Sequence, residues 1–436
     1  MRIVVLSLNY APEPTGFAPH TTALAEHLAS AGHDVTVVTG FPFAPRWKRA
    51  AEYRGELVRR ETVAGVRIVR VTHFIPRAPG RMLQRVLMEG TFAAAAALFA
   101  LVPLLARGKS FDAVVYVGAQ PAIAWLGRLV AAACGAAFVV KITDLAAQAA
   151  VDVGIVRSAA MARFLERIEF SAYRRADAAI VLCDAFRESL VDRGFPRGDV
   201  HVIRSPIDLT ALHPGGSGVA FRKRHGIDPG AFVVLYSGSL GLKQGLFEVV
   251  EAAALLAADC PSARWVLVGE GETRQALARR IESAGAPGRV SLLPLQPESE
   301  MNDMFAAADV LLLSQLRSVK DTVIPSKLLT YMAAGRPILA AVNGASQAAV
   351  IVGDARCGVL VEPESAAALA GGVRALMAAP GERAEMARRS RVYAEQHFDR
   401  ASIVVAQRHV VEQLVGRRRS RADVQRRRIK ARGSRG

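Results

Sequence analysis

An α/β architecture of two parallel-sheet domains facing a cleft is what this sequence predicts, and three observations carry the prediction. The chain has 436 residues, more than one hydrophobic core usually holds. Short runs of Val, Ile and Leu alternate with helical stretches along most of its length, the pattern of strand–helix–strand units whose sheets are covered on both faces. Residues 205–218, with Pro206, Pro214, Gly215, Gly216 and Gly218, divide that alternation into two halves.

The first half opens as strand, loop, helix, strand. Residues 2–8 are apolar, 9–19 are rich in Pro and Gly, 22–31 have helical character, and Asp34-Val-Thr-Val-Val-Thr gives a second strand. Further strands are predicted at 66–71, 113–117, 137–142, 178–182 and 200–203. Residues 91–106 (TFAAAAALFALVPLLA) carry no charge. As a helix they would extend about 24 Å, short of a bilayer core of roughly 30 Å. Pro103 and the nearby Glu89 and Arg107 also argue against a span. A buried helix is the first expectation, and a partly exposed helix seated on a membrane is the second.

The second half repeats one unit, with strands predicted at 232–237, 264–268, 290–293, 310–313, 338–342 and 358–361. Ligands of such sheets sit beyond the carboxyl ends of the strands, and three loops fall there. Ser237-Gly-Ser-Leu-Gly-Leu-Lys-Gln-Gly245 offers flexible backbone at Gly238 and one cation, Lys243. Gly269-Glu-Gly-Glu-Thr-Arg274 is a glycine turn opening a helix. Pro325-Ser-Lys places Ser326 and Lys327 at a helix start, where free N–H groups favour an anion. A glycine after a strand is usually only a tight turn, and a lone lysine only a solvated charge. Two lysines on successive strand ends of one sheet suit a diphosphate. The expected organisation is a first domain at 1–205, a second at 206–380, closing helices at 381–416 packed back across the domains, and a disordered basic tail at 417–436.

Composition narrows the function classes. Cys134, Cys183, Cys260 and Cys357 are far apart and form no Cys-x-x-Cys pair, which fits a reducing compartment without a cysteine metal site. No His-x-x-x-His or Asp-x-Asp occurs, so no metal ligand set is expected. The first residues enter a strand without the apolar core of a signal peptide, and a cytoplasmic protein is expected. Net charge is +17, with ten Arg or Lys in residues 417–436. Besides a solvated tail, attraction to an anionic membrane surface is expected there. Specific nucleic-acid binding is not, since no aromatic residues interleave with the arginines.

Taken in order, these stretches resemble family 4 glycosyltransferases of the two-Rossmann GT-B fold, and within them the colanic-acid and exopolysaccharide branch. The marks are Asn9-Tyr-Ala-Pro-Glu-Pro-Thr-Gly16, Gly32-His-Asp-Val-Thr-Val-Val-Thr, Pro42-Phe-Ala-Pro with Tyr53, and Gly65-Val-Arg-Ile-Val-Arg. They continue with Ser237 to Gly245 and with Pro325-Ser-Lys to Met332-Ala-Ala-Gly-Arg-Pro. The resemblance covers roughly residues 1–415. It implies a retaining, metal-independent transfer from a nucleotide-diphosphate sugar, needing no other cofactor. It implies that 1–205 takes the acceptor, a polyprenyl-diphosphate-linked or other glycan at the inner membrane face, and that 206–380 takes the nucleotide-sugar donor. Carried residue by residue, it places Gly16, Gly238, Lys243, Gly269, Ser326, Lys327 and Thr330 around the donor, with Asp144 and Lys243 as catalytic residues.

The departures are specific. Thr143-Asp144 stands where many relatives have His-Asp, and Ser239 where they usually have Arg. Thr322 and Thr330 stand where they carry a pair of glutamates, the second of which contacts the donor ribose. Two other functions therefore compete with an active transferase. One is a non-catalytic GT-B protein that binds nucleotide or partners as a scaffold, and the other is a GT-B sugar-nucleotide epimerase.

Overall fold

The computed structural model describes residues 1–433 except 14–16, 45, 79–80, 109, 146, 148–155, 157, 287 and 320–323, with side chains described to residue 420. The chain forms two Rossmann-like α/β units, Met1–Ser205 with Ala401–Gly436, and Pro206–Arg400.

In the first unit the elements run β1 (Arg2–Leu6), α1 (Ala18–Ser30), β2 (Asp34–Gly40), β3 (Val58–Val63), β4 (Val66–Val71) and α2 (Met82–Ala106). Then come β5 (Ala113–Gly118), α3 (Pro121–Cys134), β6 (Ala137–Ile142), α4 (Ala159–Tyr173), β7 (Ala178–Val181), α5 (Asp184–Val191) and β8 (Val200–Val202). The sheet order is β3-β4-β2-β1-β5-β6-β7-β8, parallel except for the β3–β4 hairpin. The hairpin's first strand is absent from the sequence reading. Its run Val-Arg-Arg-Glu-Thr-Val has no apolar core because an antiparallel edge strand leaves one side to solvent.

In the second unit α6 (Gly218–Arg224) precedes β9 (Phe232–Ser237), α7 (Phe247–Leu255), β10 (Ala263–Val268), α8 (Arg274–Ser283), β11 (Val290–Leu293) and α9 (Met301–Ala306). It continues with β12 (Val310–Ser314), α10 (Ser326–Ala333), β13 (Ile338–Ala341), α11 (Gln347–Ala355), β14 (Gly358–Val361), α12 (Ala366–Ala378) and α13 (Pro380–His397). Its sheet is all parallel, ordered β11-β10-β9-β12-β13-β14. Alternate strand residues feed separate clusters on the two faces, Val233 and Leu235 one, Val234 and Tyr236 the other.

The last helix, α14 (Arg400–Gly433), differs from expectation. Residues 417–433, expected to be disordered, continue it as helix. Once residues 400–416 are helical, each further residue adds a hydrogen bond without a new nucleus, and Arg, Ala, Gln and Lys are good helix formers. Two of the tail's arginines also have fixed partners: Arg418 reaches Asp177 at 2.8 Å, and Arg419 reaches Asp112 at 2.8 Å. Val410, Val411, Leu414 and Val415 lie in one apolar cluster with β1, β2, β5, β6 and β7, so α14 covers one face of the first sheet.

The apolar segment 91–106 also departs from its first expectation. It is the second half of α2, a third of whose apolar window is buried, with Met88 and Phe92 inside but Leu98 and Val102 exposed. A π-helical stretch, Ala96–Leu101, precedes Pro103, which a regular helix interior would not admit without losing a hydrogen bond.

Beneath α14 lies an unusual core group. Lys141 on β6 is buried, with its ammonium nitrogen 3.1 Å from Oε1 of the equally buried Gln407. Burial pushes its pKa down to about 7. The unfolded chain therefore holds more proton than the folded one from about pH 7 up to the ordinary lysine range, and stability rises with pH across that window. The cost of the buried amine is complete below about pH 7 and absent above the ordinary range. Lys141→Met should raise the thermal midpoint at pH 7 by about 5 °C or more and flatten its rise between pH 7 and pH 9. Melts of both proteins across that range check this, and parallel pH profiles would show that Lys141 is not the titrating group.

Candidate nucleotide-sugar site

The carboxyl edge of the second sheet is built by glycines. Gly238 (φ +146°) and Gly269 (φ +154°) end β9 and β10 in backbone conformations that other residues rarely adopt. A Cβ on Gly269 would collide with the carbonyl oxygen of Gly238, and one on Gly238 with Cε of Lys327. The two loops therefore approach backbone to backbone. Leu240 N donates to Glu270 O at 2.8 Å, and both the amide and hydroxyl of Thr273 donate to Leu240 O.

Lys327 is the second residue of α10, which Pro325 precedes with its φ already suited to a helix start. Its ammonium lies 3.2 Å from Oε1 of Gln244 and 5.4 Å from the Tyr236 ring centroid. Lys243, next to Gln244 on the single turn Leu242–Gln244, is exposed, and its carbonyl accepts from Leu316 N at 2.8 Å just past β12. Ser326, the exposed first residue of α10, completes this edge. The structure thus brings Gly238, Lys243, Gly269, Ser326 and Lys327 to one strand edge. Two cations and the free N–H groups of a helix start can hold an anion there.

Thr330 is one turn further along α10, where its hydroxyl donates to Ser326 O of the same helix at 3.1 Å. Asp144 follows β6 in the first unit and is partly buried, and the buried hydroxyl of its neighbour Thr143 has no hydrogen-bond partner. Gly16 and Thr322 lie outside the described residues. Among the described residues no group of three or more His, Cys, Asp or Glu side chains is placed to hold a metal.

Three supporting residues escaped the sequence reading. Tyr331, fully enclosed, accepts from Ser237 N at 3.0 Å and donates to Ser237 O at 3.2 Å, tying α10 to the end of β9. Burial raises its pKa, so it stays a neutral two-way hydrogen-bonding group. Gln244, quoted within its motif but not singled out, holds the Lys327 ammonium. In the first unit Glu13 is buried, with Oε1 accepting from Phe43 N and Ala44 N at 2.8 Å and Oε2 from Asn9 at 2.8 Å. Its position inside the Asn9–Gly16 motif was the available signal.

Replacing Gly269 with Ala should destabilise the second unit by about 2 kcal/mol or more, since both φ and the Gly238 carbonyl oppose a side chain. Tyr331→Phe should cost about 1 kcal/mol, one hydrogen-bonding hydroxyl. Chemical denaturation of the full chain measures both, and the reverse order would contradict the contact between the two loops.

Comparisons with known proteins bear on the family and the fold. The family described as "Glycosyl transferase 4-like domain" matches residues 15–206, and "Glycosyl transferases group 1" matches residues 220–393. The colanic acid biosynthesis glycosyl transferase WcaI of Escherichia coli (strain K12) is 28% identical over 414 residues, 93% of this chain and 98% of that protein. Among solved structures, Anabaena HepE in complex with UDP has a TM-score of 0.69 at 16% identity, over 95% of this chain and 100% of that one. The lipopolysaccharide glycosyltransferase WaaG has a TM-score of 0.63 at 18% identity, over 94% of this chain and 99% of that one. At such identities these two likenesses speak for the fold, which is GT-B. With one matched domain in each half and a relative aligned along nearly the whole length, this chain belongs to the family 4-like glycosyltransferases and resembles their colanic-acid branch.

Proposed function

We propose that this glycosyltransferase takes its sugar from a nucleotide-diphosphate sugar and passes it to a lipid-linked glycan in surface polysaccharide assembly, with retention and without a metal or other cofactor. The reading places it at the cytoplasmic face of the cell membrane. The observation that carries it is the pair Lys243 and Lys327 on a glycine-built strand edge of the second unit. When the bond between the anomeric carbon and the phosphate oxygen breaks, its electron pair stays on the diphosphate. A new bond forms from an acceptor hydroxyl to the same carbon, and the hydroxyl proton is released. Fixed cations and N–H dipoles beside the leaving oxygens stabilise that charge most where it develops. The UDP and UDP-glucose complexes of Anabaena HepE support a donor of this class. Asp144 and Lys243 remain the catalytic residues of this reading, and Gly16 a donor contact.

The tests separate donor binding from transfer. Lys243→Ala and Lys327→Ala should each weaken nucleoside-diphosphate binding about ten- to hundredfold in calorimetry, a loss of about 1.5–3 kcal/mol. Their thermal midpoints should change little, because neither ammonium is buried. Unchanged affinity in both would remove the donor site. Transfer is then read with a panel of UDP-, GDP- and dTDP-sugars against membrane extract.

One observation favours the scaffold reading: Thr330 spends its hydroxyl on its own helix and offers no carboxylate to a ribose. Thr330→Glu should tighten nucleoside-diphosphate binding while wild type still binds. A wild type that binds no nucleotide at millimolar concentration, beside a mutant that does, would decide for the scaffold.

A further inference from the structure

The exposed large apolar side chains of the described residues are concentrated rather than scattered. Nine of the seventeen lie on α2, α3 and α4 of the first unit, among them Leu83, Leu87, Leu98, Leu129, Phe164 and Ile168, with Leu83 as much as 80% exposed. These helices are neighbours, α2 packing on α3 and α3 on α4. Alpha2 is apolar on two sides. Its inner stripe, with Met88, Phe92 and Ala96, is in the core, while its outer stripe is bare. A water-facing helix ordinarily keeps that outer face polar. On α4, Met161, Phe164 and Ile168 repeat at helical spacing on the exposed side.

Charge on this face has one sign. Arg81 and Arg107 flank α2, and Arg85, Arg163 and Arg167 are exposed among the apolar residues. None of the three acids on these helices is exposed. Glu169 is buried, and Glu166 reaches Arg193 at 3.2 Å. Glu89 is partly buried, and burial, followed by the nearby Glu169 and against the pull of Arg85, pushes its carboxyl up to about 8. It is therefore uncharged at neutral pH. Arginine among bare leucines, with no exposed acid, matches an anionic lipid surface, where the apolar side chains enter the acyl boundary and the guanidinium groups meet phosphate. Alpha2 has the length and composition to cross a bilayer, but its inner stripe is committed to the core.

We propose that the outer faces of α2, α3 and α4 seat together on an anionic membrane, with α2 lying in the interface rather than across it. This names the lipid partner of the acceptor-side unit and rests on the lipid-linked acceptor reading. It also moves the membrane contact from the basic end of the chain, where Arg418 and Arg419 have protein partners, to a folded surface.

Co-sedimentation of the full chain with vesicles of phosphatidylcholine and phosphatidylglycerol tests it, phosphatidylcholine alone serving as reference. Wild type should bind the anionic vesicles. Leu83→Ser/Leu87→Ser, Phe164→Ser/Ile168→Ser and Arg163→Glu/Arg167→Glu should each lose at least about tenfold in binding. Nucleoside-diphosphate affinity should be unchanged in all three, and unchanged cooperative thermal unfolding shows that each variant folds. Wild-type binding retained by all three variants, or no binding at all, overturns the proposal. So does a wild-type dimer that the apolar variants dissolve, since the face would then meet a second copy. Vesicle binding lost as expected in a protein without nucleotide affinity would uphold the docking face while the transferase reading fails.

Discussion

A parallel sheet has to be covered on both faces, and in the first unit that requirement is met from the far end of the chain. Residues 1–205 supply eight strands, but α14 provides Val410, Val411, Leu414 and Val415 to the apolar layer over β1, β5 and β6. Its attachment is mixed in chemistry. His33 reaches Glu412 at 2.9 Å, Arg418 and Arg419 reach Asp177 and Asp112, and at the centre a buried lysine meets a buried glutamine. An apolar pair of similar volume would dock more firmly than Lys141 and Gln407. The unit keeps a polar contact at the middle of its longest-range interface, although among the described residues the buried amide nitrogen of Gln407 has no hydrogen-bond partner.

The second unit is governed by how closely loops can approach. Gly238 and Gly269 remove the side chains that would hold β9 and β10 loops apart, and Tyr331 fastens α10 to the same strand end. Lys327 is consequently positioned by four separate features: a helix start, the space over Gly238, the face of Tyr236 and the amide of Gln244. A cation restrained in this way loses little further freedom when an anion arrives, which is how a rigid strand edge improves binding without adding contacts.

The strands of both sheets were legible because fully buried strands are continuous apolar runs, and the glycines and lysines of the second sheet's edge were legible because they follow those runs directly. The hairpin strand Val58–Val63 was not, since its alternating Arg, Glu and Thr resemble a solvated loop until β4 is beside it. Charge density alone could not distinguish a free tail from a helix whose first arginines have aspartates waiting 241 and 307 positions earlier in the chain. Tyr331 was hidden for a different reason: an aromatic in an apolar helix reads as core, and only its contact with Ser237 reveals the hydroxyl's use.

The placement of α14 also bears on how the chain is made. During synthesis residues 1–205 leave the ribosome first, yet part of the cover for their sheet is encoded after residue 400. The second unit is continuous in sequence and has all of its own cover once residue 400 has emerged. Vectorial synthesis therefore favours completion of the later unit before the earlier one. Until α14 arrives, Val115, Val139 and Ile180 stay without part of their packing layer, a strip of bare β-surface of the kind that chaperones hold.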